Sequence, residues 1–286
     1  MKKILVTGAN GQLGQCLQKI SSQFEEFEFI FTDSETLDIT NKEEVNDFFW
    51  QNAPDFCINA AAYTAVDLAE TDIEKAFLVN ADGTENLAEA CAENNAQFIH
   101  VSTDYVFDGE NNLAYTEEDF TNPLGVYGAS KLAGDELALE VNPCSVILRT
   151  SWVYSEFGKN FVKTMLNLFA TKEELNIVAD QFGQPTNAND LAEAIMKIIK
   201  SEKITPGIFN FSNLGRISWF DFAEKIAELS EAKIKLNAIE TSQYPTPAKR
   251  PKNSVLDLDK ISKTYAIQLK PWEESIEDCV QILQNN

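Results

Sequence analysis

Lys2-Lys-Ile-Leu-Val-Thr-Gly-Ala-Asn-Gly-Gln-Leu-Gly14 is the stretch from which the rest of the chain is read. Ile4, Leu5 and Val6 make a short apolar run, as in a strand buried on both faces. Gly8, Gly11 and Gly14 follow at three-residue spacing, and behind them Leu13, Cys16, Leu17 and Ile20 recur on one helical face. A strand, a glycine turn and a helix in that order form a phosphate cradle. Gly8 permits the tight turn, Gly11 lets the backbone approach a pyrophosphate, and Gly14 lets helix and strand pack closely. The helix start then aims unpaired N–H groups at an anion. A glycine pattern alone also fits an ordinary strand-to-helix turn. Here the flanking strand and helix make it read as a dinucleotide site.

Working outward, Phe27–Thr32 reads as a second strand that ends at Asp33. An acid about 20 positions beyond the glycine turn is where such folds hold the adenosine ribose hydroxyls. With no arginine or lysine between Thr32 and Asn41, Asp33 predicts NADH used at least as well as NADPH. Thr40-Asn-Lys-Glu43 has the pattern of a capping box that opens a helix through Phe48 and Phe49. Asp55–Ala60 is a third strand, and the small residues Ala60, Ala61 and Ala62 behind it suit either a ligand or close packing. A long amphipathic helix is expected over Ile73–Asn94 and a fourth strand over Gln97–Ser102. Tyr127–Lys131 opens a helix reaching about Glu140, and Cys144–Thr150 is a fifth strand. The fold class is therefore α/β: a doubly wound parallel (Rossmann) sheet with right-handed crossovers. Residues 1–150 are expected to bind the dinucleotide. Residues 151–286 are expected to form mainly a smaller α/β substrate lobe, with return segments near 160–171 and 188–212. Two short helices, around Leu258 and Ile276, finish the chain.

The composition limits what such a fold can do. The 286 residues carry a formal net charge of −22, and the pI is near 4.4. That surface repels nucleic acid and anionic membranes, so neither is expected as a partner. The five cysteines show no C-x-x-C pairing, and no apolar run is long enough for a bilayer. The first strand leaves no room for a leader peptide, so a cytoplasmic location is expected.

Tyr127 and Lys131 lie one helical turn apart. A phenol near pKa 10 is a poor proton donor or acceptor at neutrality, and a nearby ammonium group lowers that value. Ser102 and Thr103 end the fourth strand at the same sheet edge and offer a hydroxyl for a substrate oxygen. Such a trio can protonate a carbonyl while a cofactor delivers hydride. His100, the one histidine, sits inside a strand pattern and reads as structural.

In these residues the chain resembles the extended short-chain dehydrogenase/reductase superfamily, and within it the dTDP-4-dehydrorhamnose reductase family. The motifs include Leu37-Asp-Ile-Thr40, Asn59-Ala-Ala-Ala-Tyr-Thr-Ala-Val-Asp67, Ser102-Thr-Asp-Tyr-Val-Phe-Asp-Gly109 and Tyr127-Gly-x-Ser-Lys-Leu-Ala-Gly134. Further on, Arg149-Thr-Ser-Trp-Val-Tyr154, Asp180-Gln-x-Gly-x-Pro-Thr186 and Arg250-Pro-x-x-Ser254 continue the resemblance. It implies reduction of the C4 ketone of a dTDP-sugar by NADPH or NADH. Tyr127 is the implied proton donor, Lys131 tunes it and holds the nicotinamide ribose, and Thr103 orients the carbonyl. Gly8, Gly11, Gln12, Leu13, Gly14, Asp33, Asp38, Ile39, Ala62, Tyr63 and Thr64 are implied to line the dinucleotide. Asp104 and Trp152 are implied to face the sugar nucleotide, and Arg250 its diphosphate. Without the resemblance, Trp152 reads equally as a core residue and Arg250 as a surface one. Magnesium, which some relatives bind, would fall on Cys16 and Asn189; neither is a good hard-cation ligand, so no metal is expected. A monomer or homodimer is expected. A dehydratase or epimerase on the same fold, and a non-catalytic nucleotide-binding regulatory subunit, are the alternatives. Tyr105, where dehydratases carry a glutamate, argues against elimination, and the intact trio argues against a regulator.

Overall fold

The computed structural model describes residues 1–285. Ile4, Leu5 and Val6 are fully buried in β1 (Lys2–Thr7), which leads into α1 (Gln12–Ser21) and β2 (Phe27–Phe31). Next come α2 (Lys42–Asn52) and β3 (Phe56–Asn59). The cap of α2 is Asn41 rather than the Thr40 box. Its side chain accepts from Glu44 N at 3.3 Å, while the Thr40 hydroxyl donates to Asp38 instead. After the single turn α3 (Val66–Ala69), the helix expected over 73–94 is interrupted. It consists of α4 (Ile73–Phe77), a π-helical turn over Leu78–Asp82, and α5 (Gly83–Glu93). Then follow β4 (Gln97–Thr103), α6 (Val126–Val141) and β5 (Val146–Thr150).

The second half adds β6 (Val153–Tyr154), α7 (Phe161–Phe169), β7 (Glu174–Val178), β8 (Phe182–Gly183) and β9 (Thr186–Asn187). Beyond these lie α8 (Ala188–Ile199), β10 (Gly207–Asn210), β11 (Ile217–Ser218), α9 (Trp219–Leu229) and β12 (Lys235–Ile239). The chain closes with α10 (Asp259–Tyr265) and α11 (Trp272–Asn285), the latter longer than the short helix expected there.

The main sheet has the order β10-β5-β4-β3-β1-β2, with every neighbouring pair parallel. β2 lies on one side of β1 and β3 on the other, so the winding reverses at β1. Open sheets of this kind take ligands outside the carboxyl ends of the strands at such a reversal. Helices cover both faces. On one, Leu13, Cys16 and Leu17 of α1 pack with Leu191 and Ile195 of α8. On the other, Phe49 packs with Leu87, Cys91 and Ala138. A fully buried leucine or isoleucine of this kind contributes about 1.5–3 kcal/mol.

Part of the second half completes the main sheet: β10 pairs with β5, and α8 and Ile261 of α10 join the first core. The α7 helix, at the place of the first expected return segment, packs elsewhere. Its Val162 and Met165 bury against Phe222 and Ile226 of α9 and Ile276 of α11 in a separate core. Among the described residues no helix is long and apolar enough to cross a membrane.

Candidate active site

At the sheet reversal the chain turns at Gly8, whose φ of +68° favours glycine. A Cβ there would stand 2.6 Å from Ala61 N and 2.7 Å from Ala60 C, so the backbones after β1 and β3 meet without room for a side chain. Gly11 begins α1 with no side-chain cap and no acidic residue in the first turn. The start of α1 stands at a cleft of about 420 Å³, bordered by Gly8, Gly11, Asp33, Asp38, Ile39 and Ala62. The geometry is that of an anion cradle, and it fits a dinucleotide phosphate.

Several of the implied cofactor residues have their side chains engaged elsewhere. Leu13 is buried in the core of α1. The Gln12 side chain turns away from the cleft: its Oε1 accepts from Asn160 Nδ2 at 2.8 Å, joining α1 to the loop before α7. Asp33 Oδ1 accepts from Thr36 Oγ1 and from the N–H groups of Glu35 and Thr36, and Oδ2 accepts from Asn10 at 2.6 Å. These donors hold its pKa below the usual carboxylate range, the Thr36 hydroxyl most of all. Asp38 accepts from Thr40, and Ile39 is buried with its carbonyl bound by Asn86. Tyr63 N donates to Asn80 Oδ1 at 2.8 Å, while Thr64 is exposed next to it.

Tyr127 and Lys131 project from the first turns of α6, and Thr103 ends β4 beside them. Thr103 Oγ1 donates to Asp104 Oδ1 at 3.0 Å. Burial pushes the Tyr127 phenol up to about 12, against the pull of the Thr103 hydroxyl. The sequence led us to expect the reverse, a phenol lowered by Lys131. The lysine amine instead points into the sheet, donating to Val101 O at 2.8 Å and standing 3.0 Å from His100 Nε2. Burial lowers Lys131 to about 8, offset in part by the Asp135 carboxylate. Asp104, 2% exposed, is raised by burial to about 7, with the Ser254 and Thr103 hydroxyls pulling the other way. Ser102 is buried on the strand next to Thr103.

In the second half of the chain, Trp152 adopts φ +46° and stacks on Trp219 with ring centroids 3.5 Å apart. Its other surroundings include Gly183, where a Cβ would lie 2.6 Å from the indole. Arg250 is not free: its guanidinium forks onto both carboxylate oxygens of Asp67 and donates to Ala248 O. Cys16 and Asn189 do not fit a magnesium ion. Burial raises the Cys16 thiol to about 12, and the Asn189 amide oxygen takes the Lys19 ammonium.

Two asparagines to which the sequence assigns no role organise this site. Asn80, in the π-helical turn, bonds Tyr63 N, Tyr63 O and Ser130 of α6. Asn59 ends β3, where its side chain bonds Thr7, Ala61 and Thr84 and meets His100. In the sequence each stands only as an asparagine beside an apolar residue, Ile58 and Val79; the burial and the bonds appear in the fold.

The model of the family described as the RmlD substrate binding domain matches residues 1–285. The chain belongs to this family. A dTDP-4-dehydrorhamnose reductase of Aggregatibacter actinomycetemcomitans is 44% identical over 97% of this chain and 98% of its own. A solved dTDP-4-dehydrorhamnose reductase of Clostridium acetobutylicum superposes with a TM-score of 0.94, at 43% identity and 99% coverage of each chain. Another, from Bacillus anthracis and in complex with NADP, gives a TM-score of 0.95 at 38% identity over 99% of this chain and 100% of its own. Family membership thus covers both halves of the chain, the open cleft as well as the lobe that carries Trp152.

Proposed function

We propose that this chain reduces the C4 ketone of dTDP-4-dehydro-L-rhamnose to dTDP-L-rhamnose with NADPH or NADH. The observation that carries the reading is the Tyr127 phenol within hydrogen-bond reach of the Thr103 hydroxyl at the carboxyl end of β4, with Lys131 one turn further along the same helix. The relatives named dTDP-4-dehydrorhamnose reductase, one of them in complex with NADP, support the substrate class.

Residues 1–150 hold the dinucleotide on this reading. The backbone of Gly8, Gly11, Gln12, Leu13 and Gly14 cradles its phosphates, and Asp33, Asp38, Ile39, Ala62, Tyr63 and Thr64 line the rest. When bound, the reduced nicotinamide supplies the hydride. Thr103 Oγ1 holds the C4 carbonyl oxygen, and Tyr127 gives that oxygen its phenolic proton. A phenol kept protonated by burial suits a donor. Lys131 binds the ribose and steadies the phenolate that Tyr127 becomes. Residues 151–286 supply mainly the sugar-nucleotide side, where Trp152 with Asp104 faces the sugar. Arg250 takes the diphosphate by sharing its fork between Asp67 and phosphate.

The working form is a monomer or homodimer. We place it in the cytoplasm, where the five cysteines, all free, meet a reducing environment. The test is a panel of 4-keto sugar nucleotides with different bases, followed by loss of reduced nicotinamide. Turnover confined to dTDP-4-keto-6-deoxy sugars supports the reading. Absence of turnover with every member of the panel overturns it.

A further inference from the structure

His100 is the one histidine in the chain. It is fully buried in β4, and no step above uses it. Its two ring nitrogens face different partners. Nδ1 lies 3.0 Å from Asn59 Nδ2, and Nε2 lies 3.0 Å from Lys131 Nζ. Which nitrogen carries the proton follows from the asparagine.

Two neighbours fix the Asn59 amide. The Ala61 N–H, a backbone donor with no acceptor role, points at Asn59 Oδ1 at 3.2 Å. On the other side, Asn59 Nδ2 donates to Thr84 Oγ1 at 3.3 Å, and the Thr84 hydroxyl gives its own proton to Asn80 O at 2.8 Å. A flipped amide would set an NH₂ group against the Ala61 N–H. It would also set a carbonyl against a hydroxyl whose proton is already engaged. Asn59 therefore offers a donor to His100 Nδ1, and that nitrogen must be the bare one. A neutral imidazole then carries its proton on Nε2, aimed at Lys131.

An ammonium group has three donors and no acceptor, so a charged Lys131 would meet this N–H donor to donor. A neutral amine has a lone pair for it. We infer that His100, locked by Asn59 with its proton on Nε2, is a positioning residue that donates to Lys131 and favours the uncharged amine in the nucleotide-free chain. Burial points the same way: it lowers His100 well below its usual range, and the Lys131 charge adds to that. The other ionisable group acting on the amine is Asp135 on its own helix, itself paired to Arg149 of β5 at 3.2 Å; Tyr127 lies one turn earlier on that helix. Asp135 Oδ1 stands 3.8 Å from His100 Nε2 and makes no hydrogen bond. It is the next acceptor for the Nε2 proton whenever Lys131 turns to a ribose or gains a proton. The inference deepens the reading of Lys131 as a nucleotide-pocket residue. The tautomer itself can be tested without any turnover.

The experiment is ¹⁵N NMR of the full chain labelled at histidine, where a single residue gives a single pair of ring signals. We expect a protonated Nε2 and a bare Nδ1 between about pH 6 and pH 9. The Nε2 shift should move once with pH as Lys131 titrates, and that movement should vanish in Lys131→Met. Its midpoint should lie at least two units, roughly 100-fold in proton affinity, below the usual lysine value of about 10.4. In Asn59→Asp, whose carboxylate can only accept, the proton should move to Nδ1. A proton on Nδ1 or an imidazolium in the wild type would overturn the inference, as would a lysine midpoint in its usual range. Loss of turnover with the Nε2 tautomer intact would instead count against the catalytic reading alone.

Discussion

Asp67 and Arg250, 183 residues apart in the chain, form a forked ion pair beside Tyr105 and the mouth of the Tyr127 pocket. The arginine side chain is 19% exposed and the aspartate 43%. Such a pair is worth little to stability at that exposure. On the proposed reading it presets the planar guanidinium for a second oxyanion. Arg250→Lys should therefore raise KM for the sugar nucleotide roughly 10- to 100-fold, the loss of one or two charge-assisted bonds. KM for the reduced nicotinamide should stay within a factor of about two. Steady-state kinetics in both substrates checks this, and an equal rise in both would remove Arg250 from the diphosphate.

Tyr127→Phe should keep the fold and the nucleotide affinity and lose about 10²–10⁴-fold in turnover, the usual weight of a proton donor in the transition state. Circular dichroism and nucleotide titration establish the first half, single-turnover rates the second. Near wild-type rates would give the proton to another group.

On the proposed reading, cofactor choice depends on Asp33. Its carboxylate is held ionised by Thr36, Glu35 and Asn10, at the rim of a cleft that, among the described residues, no lysine or arginine borders. A 2′-phosphate placed there would meet a negative charge with no counter-cation. NADH should be used at least as well as NADPH, and Asp33→Ala should shift the balance toward NADPH. A strong wild-type preference for NADPH in kcat/KM would sink this.

Asp104 carries a pH signature in stability. Its folded pKa is raised to about 7 from an ordinary value near 3.9, so between those values the folded chain binds a proton that the unfolded chain does not. Its contribution is therefore most favourable below about pH 4, falls as pH rises through that window, and is lowest above pH 7. The full swing is on the order of a few kcal/mol. Asp104→Asn should be more stable than wild type at pH 8, with the gap narrowing toward pH 5, as measured by denaturant unfolding at both. A gap independent of pH would show that the carboxyl is not the cause.

The glycine cradle and the parallel sheet were legible because they depend on local rules. Apolar runs buried on two faces read as strands, and three glycines before an amphipathic segment read as a turn into a helix. Tyr127 and Lys131 were legible for the same reason, being four residues apart on one helix. What could not be read depends on distant residues. The direction of the Lys131 amine is set by Val101 and His100 on a strand about 30 positions away. The partner of Arg250 comes from the first half of the chain. The break in the helix over 73–94 follows Asn80, whose amide serves Tyr63 and Ser130, and periodicity does not report such a demand. Thr40 and Asn41 were both good caps, and the engagement of Thr40 by Asp38 decided between them.

The proposed reaction is hydride transfer to a ketone carbon, completed by the Tyr127 proton. The direct measurement uses dTDP-4-dehydro-L-rhamnose with reduced nicotinamide carrying deuterium at the transferring position, with the product read by NMR. The account predicts one deuterium at C4 of the rhamnosyl product for each oxidised nicotinamide formed, in a pocket where Tyr127→Phe nearly abolishes the transfer. Product without deuterium at C4 would contradict it, and so would a 4-keto-6-deoxy sugar formed from dTDP-glucose and NAD⁺.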